Sequence, residues 1–212
     1  MQYKINQHEA YAAKTPHHIF NLNIILVHLF IPMIVLEIGS TIEMLLTPLI
    51  SSLIIAYIYF HGKKIAQTET WFIAAHWKLA WKRGKILLYS YVAAGVIIVG
   101  YLLIDLIFPG GMMMNDFSTT DSQTSIGEII AVRFAATVIF VAVLITFMQT
   151  GISVFDAGKG IIDPSIEKLL PRGEGANEVL GEYNDDKEAT ETNIEKEDEK
   201  ETQQNSKPKA NT

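Results

Sequence analysis

The run ILLYSYVAAGVIIVGYLLIDLIF, residues 86–108, decides the fold class. It contains one acid, Asp105, and no base. Because it is apolar all round, a helix built from it has no face to offer water, and it meets the ~20 residues that ~30 Å of hydrocarbon demands. Working outward, three more stretches have the same character: residues 19–38, 44–60 and 129–148. The second is short, and the fourth contains Arg133. The first is longer than a signal-peptide core and lacks an A-x-A-like site, so it reads as an uncleaved anchor. The predicted fold is an all-α integral membrane protein with four transmembrane helices in an up-down bundle.

The connections set the orientation. Lys63, Lys64, Lys78, Lys82, Arg83 and Lys85 lie between the second and third spans, facing one acid, Glu69. Lys4 and Lys14 precede the first span, and Lys159, Lys168 and Arg172 follow the fourth. The connections EIGSTIE and PGGMMMNDFSTTDSQTSIGE contain no base. The positive-inside rule then predicts both termini in the cytoplasm and two outward hairpins, in a bacterial-type inner membrane. PGG at 109–111 ends the third span. Asp163-Pro164 is an N-cap followed by proline, predicting a short PSIEKLL helix closed by Pro171.

Composition agrees. The 212 residues are 49% apolar and suit one domain. With no cysteine, disulfides, thiolate metal sites and thiol nucleophiles are excluded. Residues 173–212 hold twelve acids and five bases, so they alone account for the net charge of −6. This tail lacks the apolar content to offset its ordering entropy and reads as a disordered extension. The predicted organisation is residues 1–18 as an N-terminal segment, 19–148 as the membrane domain, 149–172 as a juxtamembrane segment and 173–212 as the tail.

The stretch TETWFIAAHWKLAWKRGK, residues 68–85, is amphipathic. Ile73, Trp77, Ala80 and Trp81 share one helical face, while Lys78, Lys82 and Lys85 form another stripe. Trp71, Trp77 and Trp81 with these lysines predict an interfacial helix in the headgroup layer, with a bend at Gly84 into the third span. Stacking on single-stranded nucleic acid needs aromatics and bases on one face, so no nucleic-acid partner is expected. Protein docking through the tryptophans is the competing reading.

Charges inside spans are costly and nominate sites. Glu37, Asp105 and Arg133 lie near the outer ends of their spans, where snorkelling or an Asp105–Arg133 ion pair would satisfy them. His28 is mid-span, and Pro32 withholds the amide its carbonyl would accept, so a kink is expected there, beside either a hydrogen-bonded histidine or part of a cavity. His17, His18, His61 and His76 map to the cytoplasmic interface without ligand spacing on one helix, so no metal or cofactor is expected. Neither a Walker loop nor HExxH nor GxSxG occurs, so no catalytic residue is nominated. Ser90–Ala94 and Ala131–Ala135 are small pairs that permit close helix packing.

These features suggest a non-enzymatic accessory or scaffolding subunit in contact with the bilayer and with a membrane-protein partner or further copies of itself. The alternatives are a small transporter or ion-coupled channel subunit using Asp105, Arg133 and His28, or a quinone- or haem-binding anchor of a redox complex.

Overall fold

The computed structural model describes residues 1–38, 45–108, 113–115, 123–173 and 176–181. Helix dominates them. The first rod comprises α1 (Gln7–Leu22), a π-helical segment (Asn23–Phe30) and α2 (Ile31–Ile38). It opens with a capping box: Glu9 N–H donates to the Asn6 side chain and Asn6 N–H to the Glu9 carboxylate, both at 2.9 Å. Then come α3 (Leu46–Thr68), α4 (Trp71–Ile107) and α5 (Ile126–Gly158). Three helical stretches are long and apolar enough to cross a membrane: Gln7–Ile34, Trp71–Ile107 and Ile126–Gly158. At 1.5 Å per residue, α4 alone reaches about 55 Å. The 23-residue α3 is not among them, and its last turns carry His61, Lys63, Lys64 and Gln67.

Successive rods reverse direction, so the start of α1, the α3–α4 turn and the end of α5 meet at one end, the basal end. Both ends of the described chain are tied there. Strand β1 (Gln2–Tyr3) pairs antiparallel with β4 (Val179–Gly181). The Met1 amino group donates to Ile162 O at 3.1 Å, and Tyr3 N–H to Gly160 O at 2.8 Å. Tyr3, Ala13, Phe72, Ala75, Leu79, Ala157, Ile162 and Ile166 form the apolar core of this cap. A second core, around Phe20, Ile24, Ile55, Ile58, Ile73, Trp77 and Leu87, joins α1, α3 and α4 directly above it.

Several expectations change. Residues 68–85 are not a separate interfacial helix: 68–70 belong to the α3–α4 junction, and Trp71 begins a helix that runs through Gly84 without interruption. Its first turns are covered by protein, since Phe72 through Trp77 are all buried. The apolar face read from periodicity is real, but it meets α3 and α1, while the opposite face meets the cap. Gly84 is needed for close approach, because a Cβ there would sit 2.8 Å from Ile55 Cγ2 and 3.3 Å from Phe20 Cε2.

Asp163 does cap, accepting from Ser165 N–H at 2.8 Å, but one 3₁₀ turn (Pro164–Ile166) replaces the longer PSIEKLL helix. The expected tail begins too early. Asn177 Nδ2 donates to Glu9 Oε1 at 2.9 Å, and β4 completes the terminal strand pair. Between α4 and α5, β2 (Met113–Asn115) pairs with β3 (Gln123–Ser125), which nothing in the sequence signalled. Proline and glycines 109–111, residues 39–44 and the tail beyond 181 lie outside the described residues.

Candidate functional site

Two polar sites interrupt the apolar bundle. The first surrounds His28. Pro32 removes an amide donor from the first rod, and the eight residues ending two positions before it wind as π-helix. A π segment displaces side chains from their α-helical positions and recurs at functional sites. Here it turns Asn23 inward, fully buried, and brings His28 against α4. His28 Nε2 lies 2.5 Å from Tyr91 Oη, and the two rings stack with centroids 6.0 Å apart. Tyr91 Oη donates to Ser51 Oγ at 2.8 Å, and Asn23 Nδ2 donates to the same oxygen at 2.9 Å. With these hydroxyl directions, His28 Nε2–H donates to Tyr91. Reversing both hydroxyls lets Tyr91 donate to Nε2 and Nδ1–H donate to the Asn23 carbonyl, 3.4 Å away. The chain therefore supports two proton arrangements without moving a heavy atom.

The network borders a cavity of about 420 Å³ between all four rods. Ala94, Gly95, Ala135 and Ala136 line it, so small residues on α4 and α5 leave space where larger ones would fill it. The predicted small pairs are buried, as close packing requires, but Ala94 and Ala135 also bound this void. Apart from the His28–Tyr91 pair and Thr47, the described lining is apolar. Such a chamber with a localised hydrogen-bonding group is the form small-molecule sites take.

The other nominated span residues are not part of it. Asp105 and Arg133 are exposed, line no part of the cavity and form no ion pair with each other among the described residues. Glu37 falls in α2, with its side chain outside the described part.

The second site is basal. His17 Nε2 and His76 Nδ1 are 3.0 Å apart, both rings are fully buried, and they meet edge to face. The two nitrogens are in direct hydrogen-bond contact, which leaves no space for a haem plane between them. Neighbouring polar contacts extend the clasp: Thr150 Oγ1 donates to Asn21 Oδ1, and Arg83 Nη1 donates to Gln149 O.

The predicted anchor residues divide. Trp77 is buried in the core, and Trp71 Nε1 donates to Leu170 O at 3.0 Å, so both take part in protein packing. Lys82 Nζ donates to Ser165 Oγ at 2.7 Å, which ties α4 to the cap. Trp81, Lys78 and Lys85 remain half-buried at its flank. Sequence reading placed His28 but missed Tyr91, Ser51 and Asn23, and it missed the His17–His76 pair. Polar residues inside apolar runs were the available signal for the first group. No local pattern links residues 59 positions apart, as His17 and His76 are.

No family model matches the chain, and neither a curated protein nor a solved structure does.

Proposed function

We propose that this chain is a four-span membrane protein of accessory, non-enzymatic type that holds an amphipathic molecule among its helices. The ligand class is a quinone-like ring with a hydrogen-bonding oxygen and an apolar tail. The observation that carries this reading is the cavity itself, apolar along its walls and polar chiefly at His28 and Tyr91. A carbonyl oxygen entering there would accept from one of these groups, and the reversible hydroxyl chain lets the same site receive a hydroxyl. Asp105 and Arg133 stand away from the cavity, which favours binding over ion-coupled transport.

The placement follows from charge. Among the described residues, every lysine and arginine except Arg133 lies on the basal side of the apolar segments. The positive-inside rule then directs the basal end and both termini to the cytoplasm of a bacterial-type inner membrane, with α3 as the remaining crossing.

Titration of the purified protein with a short-tailed benzoquinone, read by native mass spectrometry, tests the function. One equivalent should bind. Tyr91→Phe should weaken binding roughly three- to tenfold, the worth of one hydrogen bond. Gly95→Leu should abolish it while leaving the fold intact, because a Cβ at Gly95 meets nothing within 4 Å and a longer side chain fills the cavity. Absence of wild-type binding, or unchanged binding by folded Gly95→Leu, refutes the reading.

A further inference from the structure

A second groove, of about 360 Å³, runs between α3 and α4 at the basal end. Tyr59, Lys63, Gln67, Trp77, Lys78 and Trp81 form its polar and aromatic lining. The tyrosine and Trp81 rings pack with centroids 4.6 Å apart, and Lys63 Nζ stands 4.6 Å over the same tyrosine ring. Gly62 sets the floor: a Cβ there would be 3.2 Å from Trp77 Cβ, so α3 and α4 approach closely beneath the opening. Among the described residues no carboxylate lines the groove, and neither lysine has an acidic partner. Two lysines thus line one aromatic-floored concavity that holds no counter-charge among the described residues.

The level of the groove identifies its occupant. On α3, Leu53, Tyr57 and Phe60 are exposed and apolar, whereas Lys63, Lys64 and Gln67 are exposed and polar. The change from an apolar to a polar surface falls within the groove's own length, where a bilayer passes from acyl chains to headgroups. Aromatic rings prefer that boundary, and basic side chains there attract anionic lipid. We propose that this groove is a binding site for a single phospholipid with a net-negative headgroup, its phosphate held between Lys63 and Lys78 and its acyl chains leaving past Tyr59 toward the exposed apolar surface of α3. The site rests on the membrane reading and is independent of the quinone-like ligand.

Native mass spectrometry of the full chain, with phosphatidylglycerol and phosphatidylcholine in competition, tests it. The wild type should retain one phosphatidylglycerol in preference, and the double variant Lys63→Gln/Lys78→Gln should lose that preference by about fivefold per lysine. Lys64→Gln, one residue outside the groove, should leave it unchanged, and so should Gly95→Leu, which separates this claim from the cavity ligand. Inorganic phosphate at about 10 mM should not displace the lipid, because the acyl chains contribute much of the affinity. Full displacement by phosphate would assign the site to a free anion and overturn the lipid proposal. Retained preference in the double variant, or equal loss in Lys64→Gln, would overturn it as well.

Discussion

Gly84→Leu is expected to unfold the bundle or leave it aggregated in mild detergent. The substitution meets Ile55 and Phe20 at the level where α1, α3 and α4 converge. Even the first added carbon stands 2.8 Å from a branch methyl of Ile55, which cannot swing away as a chain end can. Overpacking of this kind costs about 1–3 kcal/mol for modest insertions and more where helix backbones must part. Against a typical total of ~5–15 kcal/mol, that is a large fraction. The control lies on the same helix. Gly100, like Gly95, has nothing within 4 Å of an added Cβ, so Gly100→Leu should elute as a monodisperse peak and melt near the wild-type temperature. If Gly84→Leu behaves like Gly100→Leu, the three helices do not meet as described.

Gly160→Val should release the amino-terminal strand. Gly160 has φ +73°, a left-handed conformation that costs an L residue about 1–2 kcal/mol and a β-branched one more. An added Cβ would also stand 2.5 Å from the Tyr3 carbonyl oxygen, a backbone atom with no rotamer to change. Relief requires β1 to withdraw, breaking the Tyr3 N–H bond to Gly160 O and uncovering Tyr3, which is otherwise 1% exposed against Trp71 and Phe72. Hydrogen exchange at residues 2–5 should rise by orders of magnitude, with the apolar spans unaffected. Unchanged protection there would show that the cap does not depend on this contact.

The membrane-type helices were legible because hydropathy needs no partner to be read. The run at 86–108 is apolar from every side, and α4 and α5 follow from composition alone. Residues 71–85 were harder. Their period announced an amphipathic helix correctly, but periodicity cannot say whether an apolar face meets lipid or another helix. Trp77 went to the helix core because Gly62 on α3 admits it, a relation between positions in different elements. Pro32 made a disturbance near His28 readable, but the missing amide does not specify a π segment over a simple kink. The His17–His76 clasp and the β1–β4 pair depend on the basal closure of the whole chain, and two- or three-residue strands carry no period of their own. Asn177 looked like tail because composition averages over a window, and a single docked side chain disappears in that average.

We propose that the basal cap, with both ends of the described chain and the α3–α4 turn, lies on one side of a membrane that all four rods cross. Having no cysteine, the chain suits single-cysteine labelling with a membrane-impermeant maleimide on intact and opened cells. Cysteines at Lys64 and Gly173 should label only after the cells are opened, whereas one at Ser40, between α2 and α3, and one at Thr119, between α4 and α5, should label in intact cells. Labelling of Ser40→Cys and Lys64→Cys from the same side would mean that α3, which lies between them, does not cross, and the four-span reading would be contradicted.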